Sequence, residues 1–98
     1  MIHHHYPADI VRDILEELTQ AERKHPNWPT DIIHAVAVMN EEAGEAIQAA
    51  IDLTYNKDPS RAGELRIKLR EELIQTAAMC IRNLIHIRGV DDESVSSR

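Results

Sequence analysis

Aromatic residues are scarce in this chain of 98 residues, which has no phenylalanine, one tryptophan and two tyrosines. Hydrophobic residues nevertheless make up 43% of the chain, so its core must be built from aliphatic side chains and alanine. Aromatic and β-branched residues are typical of strands, whereas alanine and leucine favour helices. The composition therefore favours a helical protein over a β-sandwich.

Cysteine, long apolar runs and clustered positive charge are also missing. The single cysteine, Cys80, cannot form an internal disulfide, and no apolar run approaches the roughly 20 residues of a membrane span or resembles a signal peptide. The formal net charge is -6 and the 11 lysines and arginines are scattered, which excludes the basic patch of a nucleic-acid-binding surface. We expect a cytoplasmic protein that binds neither a nucleic-acid polymer nor a membrane, and we assign no structural or catalytic role to His3 to His5.

Apolar residues at helical spacing predict three helices. The first covers residues 7–24. The second runs from Thr30, its expected N-cap, to about Tyr55, and the third follows a turn at Pro59 and ends at Gly89. The sequence thus predicts a single all-α domain over residues 1–98, with a core from about 7 to 88. Its two long helices form an antiparallel hairpin, the first helix packs against this hairpin, and residues 90–98 form a polar tail that we expect to be disordered.

The apolar arc of the second helix spans about half of its circumference or more. Two other helices of so small a chain can hardly cover an arc of this width. We therefore expect the chain to complete a helix bundle by oligomerisation, as a homodimer or a homotetramer.

Carboxylates interrupt the apolar faces of both long helices. Glu42 lies in the middle of the apolar stripe of the second helix and Glu72 in that of the third, and each is followed three residues later by a second polar residue, Glu45 or Gln75. A buried carboxylate is costly unless it is paired or bound to a metal, and basic partners are scarce on these two faces. Oxygen ligands suit Mg²⁺, so the four residues predict a four-cornered magnesium site between the helices. A solvated acidic face is the alternative.

Two acidic motifs, EEAGE at residues 41–45 and EELIQ at residues 71–75, resemble those of the MazG-like all-α nucleoside triphosphate pyrophosphatases. The pattern of that family is EExxE, followed one helix later by ExxD. The first motif matches fully. In the second, Glu72 matches the glutamate, but Gln75 stands where the family has aspartate. The resemblance covers roughly residues 25–88.

This resemblance implies Mg²⁺-dependent hydrolysis of a nucleoside or deoxynucleoside triphosphate to the monophosphate and pyrophosphate. It implies that Glu42, Glu45 and Glu72 are metal ligands and that Glu41 is a further ligand or the base that orients the attacking water. Gln75 offers a neutral carbonyl oxygen, which removes one negative charge from the site. The alternative function is therefore a non-catalytic helical binding or assembly module with a weakened metal site.

The resemblance places part of the substrate pocket in the segment just before the acidic second helix, residues 24–29. Trp28 can stack on a base, and Lys24 or His25 can contact a phosphate. A tryptophan in a loop can also close the core as a plug. Asn83, on the same face as Glu72, can hydrogen-bond a ribose or a base, or it can serve as a core or interface asparagine.

Overall fold

Three α-helices form this protein, for which a computed structural model describes residues 6 to 96, with side chains as far as residue 87. The helices are α1 (Pro7–Lys24), α2 (Ile32–Thr54) and α3 (Ala62–Ser96), and a short 3-10 turn, Pro59–Arg61, precedes α3. The described residues contain no strand. The predicted all-α fold class is thus confirmed, whereas His3 to His5 lie outside the described part of the chain.

Aspartates cap the two turns that lead into the long helices. The Asp31 carboxylate accepts a hydrogen bond of 3.0 Å from the backbone N–H of His34, so Asp31, and not Thr30 as predicted, is the N-cap of α2. Asp58 accepts one of the same length from the backbone N–H of Ser60. Each side chain satisfies a backbone donor that the first turn leaves without a partner.

The third helix is longer than predicted, because it continues through Gly89 to Ser96. Glycine inside a helix costs about 1 kcal/mol relative to alanine, but it does not prevent the backbone from remaining helical. The predicted helix end at Gly89 is therefore wrong, and residues 90–96 extend α3.

An antiparallel hairpin of α2 and α3 forms the body of the molecule. Asn83, late in α3, donates a hydrogen bond of 3.3 Å to the backbone oxygen of Ala35, early in α2. The seam between the two helices is lined mainly by small side chains, which let helices pack closely. Its buried apolar residues include Ala35, Ala46, Ala49 and Leu65.

The first helix packs along another side of α3 and runs parallel to it. Near its start, Asp13 pairs with Arg70 at 2.8 Å, and near its end the backbone oxygen of Ala21 accepts a hydrogen bond of 3.4 Å from Arg82. Between these contacts lies a small core of α1 and α3 side chains. It comprises Leu18, Ala21, Ala78 and Met79, with Ile14, Trp28, Met39 and Ile81 packed against it.

Both α1 and α2 pack on α3, and no Cα atom of α1 lies within 8 Å of one of α2 in the described chain, although the Met39 side chain of α2 reaches the core beside α1. A cleft therefore opens above α3 between them. The side of α2 that faces away from α3 carries exposed apolar residues, including Ile33 and Ile47. No helix in the described part is both long enough and apolar enough to cross a membrane.

Candidate metal centre

Three carboxylates from α2 and α3 meet at the seam of the hairpin. One oxygen from each of Glu42, Glu45 and Glu72 lies within 4.8 Å of the other two. Residues three apart are neighbours on a helix, which places Glu42 beside Glu45, and the packing of α3 brings Glu72 to them. Glu72 is only 2% exposed, Glu42 is half-buried and Glu45 is exposed. This acidic cluster therefore runs from the interior to the surface.

Burial and mutual repulsion disfavour the charges of the acidic cluster. Burial is the main cause of the raised pKa of Glu42, and the charges of Glu45, Glu72, Glu17 and Glu41 raise it further. The pKa of Glu45 is also raised, chiefly because its carboxylate and that of Glu72 can share a proton. Without a cation, the cluster is thus electrostatically unfavourable when fully ionised.

One lysine offsets part of this charge. The Nζ atom of Lys68 lies 3.1 Å from Oε1 of Glu72, one helical turn away, and this contact raises the pKa of Lys68. The expectation that basic partners are scarce on these faces is therefore wrong for Glu72. The Lys68 side chain is mostly exposed, so it covers the cluster from the solvent side.

The donor set of the acidic cluster fits a hard divalent cation. Oε2 of Glu42 and Oε2 of Glu72 are buried and have no hydrogen-bond partner among the described residues. Buried acceptors without partners are rare, and carboxylate oxygens are the ligands that Mg²⁺ prefers. The exposed position of Glu45 also leaves one member of the cluster in contact with solvent. Glu42, Glu45 and Glu72 are thus the residues that can hold the predicted Mg²⁺.

The other two predicted residues lie beside this acidic cluster. Glu41 is exposed and acts on Glu42 through its charge. Gln75 lines the cleft between α1 and α2 together with Glu42, whereas Glu45 and Glu72 line a separate cavity of about 170 Å³. The structure therefore groups three of the four predicted corners and places Gln75 on the cleft side of Glu42.

A cavity of about 490 Å³ occupies the cleft, a volume within the usual range of small-ligand sites. Lys24, His25 and Trp28, all predicted to bind substrate, lie in its wall together with Glu42. The complete lining is Glu17, Ala21, Lys24, His25, Asn27, Trp28, Pro29, Val38, Glu42, Gln75, Met79 and Arg82. Two acidic residues, Glu17 and Glu42, and several basic or polar residues thus line the same cavity.

Arg82 contacts Trp28 in the wall of this cavity and is only 2% exposed. Its guanidinium carbon lies 4.5 Å from the centroid of the Trp28 ring, and the His86 ring stacks on Trp28 at 5.5 Å. Arg82 also donates hydrogen bonds to the backbone oxygens of Ala21 and His25, which satisfies carbonyls at the end of α1. Because Trp28 packs on the core and is covered by these side chains, its geometry favours the plug over base stacking.

Asn83 lies outside the large cavity, beside Trp28 and Ala35 in a pocket of about 10 Å³. Its amide nitrogen bonds the backbone oxygen of Ala35 and its oxygen is buried. Of the two roles considered for Asn83, this position favours a core asparagine over a residue that contacts a ribose or a base.

Three residues near the site, Lys68, Arg82 and Glu17, were not predicted from the sequence. Lys68 precedes Glu72 by four residues, a spacing that commonly places an ion pair on one helix face, so it could have been recognised. Arg82 also carried a signal, since it is a charged residue within the apolar stretch at residues 77–87. Nothing in the sequence indicated Glu17, because its position near Glu42 depends on how α1 docks on α3.

Comparison of the chain with known protein families, with curated proteins and with solved structures finds no match. The functional interpretation consequently depends on the acidic cluster, the cavity and the resemblance of the two motifs.

Proposed function

We propose that this chain is a Mg²⁺-dependent nucleoside triphosphate pyrophosphohydrolase that releases a nucleoside monophosphate and pyrophosphate, as the resemblance to MazG-like enzymes implies. The observation that supports it most is the convergence of Glu42, Glu45 and Glu72 within 4.8 Å, with Glu42 also lining a cavity of about 490 Å³. A carboxylate cluster that can hold a cation, with one member in the wall of a cavity large enough for a small ligand, is compatible with such a hydrolase.

In this proposal, Glu42, Glu45 and Glu72 hold Mg²⁺. Bound by these residues, Mg²⁺ would supply positive charge near the phosphate oxygens and would lower the pKa of a bound water. Exposed Glu41, next to Glu42, orients the attacking water or accepts its proton. Lys24 and His25, at the exposed rim of the cavity, contact the phosphates.

In this proposal, the remaining residues of the cavity wall exclude water and position the substrate. Trp28, fixed by Arg82, forms an apolar boundary for the nucleoside. Gln75 contributes a neutral oxygen or amide group from α3 next to Glu42. We also propose that the chain associates with itself as a dimer or a dimer of dimers, since α2 leaves several large apolar side chains exposed.

Release of pyrophosphate tests this function directly. The purified protein is incubated with each common and oxidised nucleoside or deoxynucleoside triphosphate, with Mg²⁺ or with a chelator. We expect Mg²⁺-dependent release that Glu72→Gln abolishes and that Glu71→Gln, which removes an exposed carboxylate beside the cluster, preserves. Release that persists in the chelator or in Glu72→Gln contradicts the proposal.

A non-catalytic binding or assembly module is the second candidate. It is favoured by Lys68, which already neutralises part of the charge of Glu72, and by Gln75, which adds no charge to the site. Under this alternative, no triphosphate is hydrolysed, although Mg²⁺ or a nucleotide still raises the melting temperature.

A further inference from the structure

Glu17, in the second half of α1, lines the cleft together with Glu42 of α2. It shares one helix face with Ala21 and Lys24, which follow it by four and seven residues, and all three line the cavity of about 490 Å³. Glu42 lines the same cavity from the other helix. Glu17 is half-buried, so its carboxylate is partly withdrawn from solvent.

No cation of the chain pairs with Glu17. The preceding residue, Glu16, lies 3.9 Å from Arg12, whereas the Glu17 side chain has neither an ion pair nor a hydrogen bond among the described residues. Its charge is nevertheless felt in the cavity wall, since the pKa of Glu42 is raised mainly by burial and further by neighbouring carboxylates, Glu17 among them. Two carboxylates thus line one cavity, and a cation between them would relieve their repulsion.

Glu17 also lies beside Gln75, the neutral member of the predicted metal site. Both residues line the large cavity, and both line a second cavity of about 250 Å³ between α1 and α3. The amide of Gln75 carries no charge, whereas Glu17 brings a carboxylate to the same place from another helix. A hard cation prefers the carboxylate.

Buried oxygens without partners connect this carboxylate with the acidic cluster. The Glu72 side chain is only 3% exposed, and its Oε2 has no hydrogen-bond partner among the described residues. Oε2 of Glu42 is likewise buried without a partner, and Glu42 belongs both to the acidic cluster and to the wall that Glu17 shares. Mg²⁺ usually keeps several waters in proteins, so a carboxylate across a cleft can bind the ion through one of them.

We propose that Glu17 is a further carboxylate of the metal centre, and that bound Mg²⁺ links α1 to the hairpin of α2 and α3 across the cleft. This inference deepens the proposed function and rests on its metal centre. No Cα atom of α1 lies within 8 Å of one of α2 in the described chain, so the link holds together two walls that otherwise meet little. Metal binding therefore fixes the position of α1 and the shape of the cavity.

Titration calorimetry with Mg²⁺ alone tests the role of Glu17 in binding. We expect Glu17→Gln to weaken binding by about ten- to a hundredfold, the loss typical of groups that support the direct ligands of a metal. Glu16→Gln removes the same charge from the preceding, exposed position of α1 and should change the affinity by less than about threefold. If the parent and Glu17→Gln bind Mg²⁺ equally well, this inference fails and the proposed function stands. A parent that binds no Mg²⁺ overturns both.

Hydrogen exchange tests the link between α1 and the hairpin. At saturating Mg²⁺, the backbone amides of α1 should exchange more slowly in the parent, and this protection should be absent from Glu17→Gln. Amides of α2 and α3 near the acidic cluster should be protected in both proteins. Protection of α1 that persists in Glu17→Gln, or a parent in which Mg²⁺ protects only α2 and α3, contradicts the link.

Returning the charge from α3 separates metal binding from the link. Glu17→Gln combined with Gln75→Glu should regain most of the Mg²⁺ affinity, since a carboxylate again lies beside Glu42. It should not regain the protection of α1, because no residue of α1 then binds the ion. A variant whose affinity is low because α1 has come loose would not be rescued in this way. A double variant that binds as weakly as Glu17→Gln, or one in which Mg²⁺ still protects α1, overturns the proposal.

Discussion

Glu42→Gln removes one negative charge from the acidic cluster while preserving the side-chain shape. Charges 4.8 Å apart, the limit for Glu42 and its two partners, repel by about 3.5 kcal/mol at an effective dielectric constant of 20 and by about 0.9 kcal/mol in water. The lower figure applies because Glu42 is only half-buried and Lys68 offsets part of the charge of Glu72. We expect the metal-free variant to be more stable by about 1 kcal/mol, which raises the melting temperature by about 4–8 °C.

The same substitution should remove the response to metal. For the parent, Mg²⁺ at a hundred times its dissociation constant should add about 2.7 kcal/mol of stability. Glu42→Gln should lose this gain together with pyrophosphate release, while Glu71→Gln should keep both. Thermal melts with and without Mg²⁺, run beside the pyrophosphate assay, measure the two effects. A variant that still gains stability from Mg²⁺ and still hydrolyses triphosphate would refute the assignment of Glu42 as a ligand.

The raised pKa of Glu42 makes a related prediction for pH. Because its pKa in the fold lies above the ordinary value of 4.5, the native state holds this proton more tightly than the unfolded chain does. The resulting stability is fully present below the unfolded pKa and is lost as the pH rises through the folded pKa. As the pH falls from neutrality toward the ordinary value of 4.5, the metal-free parent should therefore gain more stability in urea melts than Glu42→Gln does. Equal gains would show that Glu42 is not the group responsible.

Three further substitutions probe the surroundings of the acidic cluster. Gln75→Asp should tighten Mg²⁺ binding in titration calorimetry, since a carboxylate binds a hard cation more strongly than an amide; unchanged affinity would mean that position 75 faces only the cavity. Lys68→Met should lower the melting temperature of the metal-free protein and tighten Mg²⁺ binding, because buried Glu72 loses its ion pair with Lys68; weaker binding would contradict this. Arg82→Met should destabilise the fold by about 2–4 kcal/mol in urea melts and change Trp28 fluorescence, since the buried guanidinium contacts both the end of α1 and the Trp28 ring. The control is Arg23→Met, at an exposed position, which should change the stability by less than about 0.5 kcal/mol.

Helical periodicity was sufficient to predict the hairpin and the meeting of its carboxylates. Glu42 and Glu72 occupy apolar positions in the sequence, and two helices joined by a short turn must pack through their apolar faces. The same argument could not locate the end of α3, because Gly89 is compatible both with a terminus and with a helix interior.

The cavity depends on tertiary geometry that helical periodicity does not contain. Its position follows from the docking of α1 and α2 on different sides of α3, which brings Glu17 near Glu42 and turns Gln75 toward the cleft. Periodicity fixes which face of a helix is apolar, but it does not fix which neighbour covers that face. Lys24, His25 and Trp28 were predicted near the site from the resemblance, and periodicity left Asn83 equally compatible with the site and with the core.

The docking of α1 on α3 has a consequence for the order of folding. Its polar links, Asp13 to Arg70 and Ala21 to Arg82, join positions 57 and 61 residues apart. Contacts between positions so distant require the closure of a long loop, so they form late, whereas α2 and α3 are joined by a short turn and can pair early. Every carboxylate of the acidic cluster belongs to that early pair. The cluster can therefore assemble before the docking of α1 creates the cavity, and in the proposed function Mg²⁺ would find its ligands before the nucleotide finds its site.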